Sequence, residues 1–167
     1  MKTFTKLAFA PALAFAVLTP FAAANAGEKS EDIVVTSSAE MQAWQADATR
    51  SLNRALQRSP VERTATPGPG IVQVTFSLGA DGRPENVELY NSTADWSAER
   101  SAIFAVRRLG DISDVPVSNP AGAQFIANII FADSVAEHDD LARELTASEA
   151  ARLASGSPAS DFIALGS

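Results

Sequence analysis

The chain holds one histidine, His138, in the run Glu137-His138-Asp139-Asp140. A general base or a metal ligand is the chemistry such a run suggests. A metal site needs several ligands converging from different parts of a chain. Consecutive helical residues point in different directions, and no second cluster of ligands completes this one. The run therefore reads as a solvated helix face. A Ser-His-Asp hydrolase would have to use the same histidine, and the sequence has no Gly-x-Ser-x-Gly elbow. Gly68-Pro69-Gly70 lacks the Lys and Ser/Thr that follow a phosphate loop, so it reads as a linker. Asn91-Ser92-Thr93 fits a glycosylation sequon, but a turn is a sufficient role. Arg107 and Arg108 could bind an anion; stabilising a helix end is the commoner use of such a pair. Trp44 and Trp96 could stack a ligand, yet they fall on a helix face and at a helix start, where core packing is the commoner role. The acidic residues are scattered, and no carboxylate pair stands out for acid–base work. The residues assign no catalytic group, no metal site and no cofactor.

The elements that would position these side chains are easier to read. Residues 71–78 alternate, with Val72, Val74, Phe76 and Leu78 on one face and Gln73, Thr75 and Ser77 on the other. That is the period of a half-buried strand. Asp81-Gly82 supplies a tight turn, and Val87 and Leu89 resume the alternation until Asn91-Ser92-Thr93 breaks it. Residues 39–57 predict a helix with Met41, Trp44, Ala48, Leu52, Ala55 and Leu56 on one face, capped by Ser38. Pro60 ends it, and residues 59–70 form a connector rich in proline and glycine. A second helix runs from an Asp95 or Ser97 cap to about Leu109, with Ala98, Ala102, Ile103, Val106 and Leu109 as its apolar face and Gly110 as its stop. Phe125–Phe131 predicts a third strand. Glu137–Leu153 predicts a final helix with a thin stripe of Leu141, Leu145 and Leu153. The stretch from Ser155, rich in Ser, Gly and Ala, reads as a disordered tail.

Strand order follows from connection rules. A hairpin pairs the first two strands, and a right-handed crossover places the third beside the first. The expected fold class is α+β, with a three-stranded antiparallel sheet, an N-terminal helix and an extra C-terminal helix. Strand two, with Pro84, Glu85 and Glu88, is a protected edge. Strand three is the opposite edge, uncharged and free of proline, and invites another strand to pair along Gln124, Ile126, Asn128 and Ile130.

Composition bounds the setting. Lys2 and Lys6, an apolar run from Leu7 to Phe21 and the small-x-small triplet Ala24-Asn25-Ala26 are the three parts of a secretory signal peptide over residues 1–26. The apolar run is about 15 residues, short of the roughly 20 that span a bilayer. Residues 27–38 then form a flexible leader. Cleavage would leave eleven basic residues against twenty acidic ones, moving the net charge from −7 to −9. Such a balance disfavours nucleic acid and anionic lipid, which are polyanions. With no cysteine, the core must come from packing alone.

Gly70-Ile-Val-Gln-Val-Thr-Phe-Ser-Leu78 followed by Asp81-Gly82-Arg83-Pro84-Glu-Asn-Val87 resembles the opening hairpin of the TonB C-terminal domain family. Asn91-Ser92-Thr93 is similar to its Ser-Ser-Gly-like turn, and Ala102-Ile-Phe-Ala-Val-Arg-Arg108 to its helix. Val115-Pro116 and Ala127-Asn-Ile-Ile-Phe131 resemble the proline after that helix and the last strand. The likeness covers about residues 40–132. It implies a non-catalytic periplasmic domain that takes an extended peptide, the TonB-box segment of an outer-membrane transporter, as an added strand on strand three. Four features depart from the family's energy transducers: a cleavable leader in place of an anchor, no histidine in that segment, no proline in residues 27–38, and an extra final helix after Phe131. The competing expectations are an envelope module that forms a homodimer by edge pairing and, in another class, a small periplasmic hydrolase or metal-binding enzyme.

Overall fold

The structure, a computed structural model, describes residues 38–58 and 66–166. The expected signal peptide, the leader up to residue 37 and part of the connector lie outside them. Among the described residues, no helix is long and apolar enough to cross a membrane.

Helix α1 covers Ser38–Leu56, β1 Gly70–Leu78, β2 Pro84–Ser92, α2 Trp96–Arg107, β3 Gln124–Phe131, α3 Val135–Ala154 and β4 Ile163–Leu165. The fold is α+β, as the periodicities require. The sheet, however, has four strands in the order β2-β1-β3-β4. β1 pairs antiparallel with β2 and β3, and β4 lies parallel to β3. This corrects the three-stranded antiparallel expectation. It also corrects the expected disorder after Ser155, where residues 158–161 make a 3-10 turn leading into β4.

The alternation of β1 sorts two layers. Val72, Val74, Phe76 and Leu78 pack with Phe125, Ala127 and Ile129 of β3 against α1 and α2. Trp44, Ala48, Leu52 and Ala55 from α1 and Ala98, Ala102, Ala105 and Val106 from α2 complete this core. The other face carries Ile71, Gln73 and Thr75 beside Ile130, Asn128 and Ile126. There α3 packs, with Leu145 and Ile126 both buried. The stripe expected on α3 departs from the structure. Leu153 is 59% exposed, and the buried face continues from Leu145 through Glu149 to Arg152.

Two further expectations change. Trp44 is buried, with its indole N–H donating to Asp114 Oδ1 at 3.1 Å, but Trp96 is 62% exposed with the Arg100 guanidinium 4.8 Å above its ring. Leu89, opposite Val74 on the edge strand β2, is 42% exposed. The Asp81-Gly82 turn forms as expected, with Gly82 at φ 73°, a conformation that favours glycine.

Helix α2 starts at Asp95, whose carboxylate accepts from the Ala98 N–H at 2.9 Å. It ends at Arg107, two residues before the expected limit, and Gly110 is not the left-handed stop. Asp95→Ala should cost about 1 kcal/mol, since the cap satisfies an otherwise unpaired helix N–H. A urea titration measures it, and Glu99→Ala, one turn into the helix, is the comparison.

Candidate peptide-binding edge

The backbone of β3 has two sides, and alternation decides which residue serves which. In a strand, one residue's N–H and C=O point the same way and its neighbours' the other way. The Asn128 carbonyl faces Gly166, so close that a Cβ on Gly166 would collide with it. Asn128 therefore turns both backbone groups away from β1. The β1–β3 register runs unbroken from Gly70↔Phe131 to Ser77↔Gln124. Gln124, Ile126 and Ile130 thus present their backbone groups on the same side as Asn128. Sequence reasoning singled out these four positions, and one side of one strand brings them together.

That side is not free along its length, which corrects the expectation of an open edge. β4 pairs Phe125↔Ile163, Ile126↔Ala164 and Ala127↔Leu165. Leu165 is 1% exposed within the main core, and Ile163 packs against it. Gln45 of α1 donates to the Ala164 carbonyl at 3.0 Å. Strand pairing stops at Leu165. Gly166, at φ 76°, sends its N–H to Thr49 Oγ1 of α1 at 3.0 Å. Beyond β4, the Asn128–Ile130 stretch borders a cleft of about 150 Å³ reached by Thr49, Asn53 and Leu56 of α1 and by His138 of α3.

The side chains of the four positions meet different surroundings. Gln124 is exposed and Ile130 half-buried, whereas Ile126 and Asn128 lie buried on the α3 side. Asn128 Oδ1 accepts from Gln73 Nε2 at 2.9 Å. Gln73 Nε2 also donates to Glu149 Oε1 at 3.1 Å, and Glu149 pairs with Arg152 at 2.7 Å. Arg152 Nη1 reaches the Ala159 carbonyl in the turn before β4. One polar chain thus links the face of β3, helix α3 and the approach to β4.

Neither a family model, nor a curated protein, nor a solved structure matches this chain.

His138 is exposed and stands 3.5 Å from the Asp139 carboxylate. Among the described residues, no three histidine, cysteine or carboxylate groups lie close enough to hold a metal ion. Near the β1–β2 turn, the Ser113 hydroxyl and backbone N–H both donate to Asp111 Oδ1, at 2.7 and 2.9 Å. These bonds hold the Asp111 carboxyl below the usual carboxylate range. The Ile112 N–H donates to the Gly82 carbonyl at 3.0 Å, so this corner braces the hairpin. Sequence reasoning missed β4, Thr49 and the Glu149–Arg152 pair. The signal for β4 was present in the apolar run Phe162-Ile163-Ala164-Leu165, closed by Gly166.

Proposed function

We propose that this chain is a non-catalytic, periplasmic TonB-like module that binds an extended peptide by strand addition to β3. A TonB-box-like segment of an outer-membrane transporter is the partner the resemblance implies. The β1-β2-α2-β3 succession fits that family's domain, with α3 and β4 as additions. One observation carries the binding mode: β4 is itself a short extended segment added to the side of β3 that Gln124, Ile126, Asn128 and Ile130 present. Its Ile163 and Leu165 side chains supply apolar anchoring at alternate positions while the backbone sets the register. An incoming peptide would displace β4 or extend along Asn128–Ile130 beyond it.

The test uses a synthetic peptide with the sequence of residues 157–167, titrated into the protein by calorimetry. Gly166→Ala forces a side chain into a left-handed conformation against the Asn128 carbonyl and loosens the chain's own strand. It should raise peptide affinity by about tenfold, the effect of roughly 1.4 kcal/mol. Asn128→Pro removes an edge N–H and should abolish binding, while Asn128→Ala keeps most of it. Equal affinities for the Pro and Ala variants, both folded by circular dichroism, would place recognition elsewhere.

A further inference from the structure

Helices α1 and α2 end at one corner of the molecule, around a cleft of about 360 Å³. Three guanidinium groups line it: Arg54 and Arg58 from the end of α1, and Arg108 from the end of α2. Among the described residues no carboxylate lines it, and Ser51, Ala55, Leu109 and Gly110 complete the described lining. The arginine ion pairs among the described residues use Arg50, Arg83, Arg143 and Arg152, and none uses these three arginines. Two of the three are held in place by uncharged groups. Arg54 donates to Ser51 Oγ at 3.0 Å and to the Arg50 carbonyl at 3.4 Å. The Arg108 guanidinium lies 4.8 Å above the Phe104 ring.

The helix dipoles explain part of this arrangement. Each C-terminus carries about half a negative charge and attracts a cation. Two such ends offset roughly one of three positive charges. The remainder converges on one cleft in a chain whose net charge is −7. Guanidinium groups bind planar and tetrahedral oxyanions through paired N–H donors. The volume lies at the lower end of the range for small-molecule sites, and Ala55 and Leu109 offer a small apolar wall.

We infer that the cleft between the ends of α1 and α2 is a binding site for a small oxyanion, a phosphate-bearing or polycarboxylate molecule. The inference does not depend on the peptide-binding reading, because no residue of β3 or β4 lines this cleft. Arg54 and Arg108 bring guanidinium groups to the anion from two helices, and Arg58 lines the same cleft.

The experiment titrates the protein with pyrophosphate and, separately, with citrate, followed by calorimetry and by backbone amide NMR shifts. Saturable binding is expected, with shifts centred on residues 51–58 and 108–110. Arg54→Gln and Arg108→Gln should each weaken it tenfold or more. Arg107→Gln removes a neighbouring charge that does not line the cleft and should change it less than twofold. Preference for pyrophosphate or for citrate assigns the anion class. Three results would overturn the site: no saturation by either anion, an equal loss in Arg107→Gln, or shifts spread over the whole basic surface. Each Gln substitution keeps a long polar side chain at an exposed position, and circular dichroism verifies the fold.

Discussion

Phe76→Ala should destabilise the protein by about 3–5 kcal/mol, the cost of truncating a fully buried aromatic ring and leaving a cavity. Phe76 is 1% exposed. It stands opposite Phe125 across the β1–β3 pair, with ring centroids 5.2 Å apart and planes within 14°. Phe125 in turn meets Trp44 of α1 at 5.9 Å. The ring therefore joins the two interior strands to the helix that covers them, and close-packed surroundings relax only partly around a lost side chain. Since domains of this kind are stable by only about 5–15 kcal/mol, the variant should lose a large share of its stability. Urea denaturation measures the loss. Leu89→Ala, on the edge strand at 42% exposure, is the comparison and should cost well under half as much. A loss below about 1 kcal/mol for Phe76→Ala would mean that the register is wrong, because a one-residue slip turns every side chain to the other face.

Some of this architecture was legible in the residues because the physical signal was long. The α1 stripe spans several turns, and Trp44, Ala48, Leu52 and Ala55 are buried as it required. The alternation of β1 fixed its register against the core, and the crossover rule placed β3 beside it. What stayed hidden was short or polar. β4 has three residues, too few for a period to declare itself, and it follows a stretch whose composition signals disorder. On α3, Leu145 is followed on the buried face by Glu149 and Arg152. Hydrophobic periodicity treats such residues as solvated, so the stripe was drawn to Leu153 instead. Gln73 on β1 and Asn128 on β3 were read as an outward polar face and a strand edge. They are buried at 4% exposure each because α3 brings a matching polar group to them. For the candidate edge, alternation alone named the four positions. Their occupancy by β4 depended on a contact far along the chain.

Arg152→Ala should cost about 2–4 kcal/mol, somewhat below the ~3–5 kcal/mol of breaking a fully buried ion pair. The Arg152 side chain is 6% exposed and that of Glu149 16%, so the carboxylate keeps some access to water after its partner is removed. Among the described residues, the Glu149 carboxylate would retain only the Gln73 amide as a side-chain partner, and an uncompensated charge near the sheet is what drives the loss. The double variant Glu149→Gln/Arg152→Met removes both charges while keeping similar volume. It should recover at least half of the stability lost by Arg152→Ala, since replacing a buried pair costs far less than orphaning one member. The same arginine holds the Ala159 carbonyl in the turn before β4. Its loss should therefore speed hydrogen exchange at the amides of 163–166 more than at those of β1, because local openings follow the contacts that anchor a segment. Uniform acceleration across the sheet would show that Arg152 supports the fold as a whole. Selective acceleration would identify the Arg152–Ala159 contact as the clasp that keeps β4 on the edge where, under the proposed function, a peptide would add.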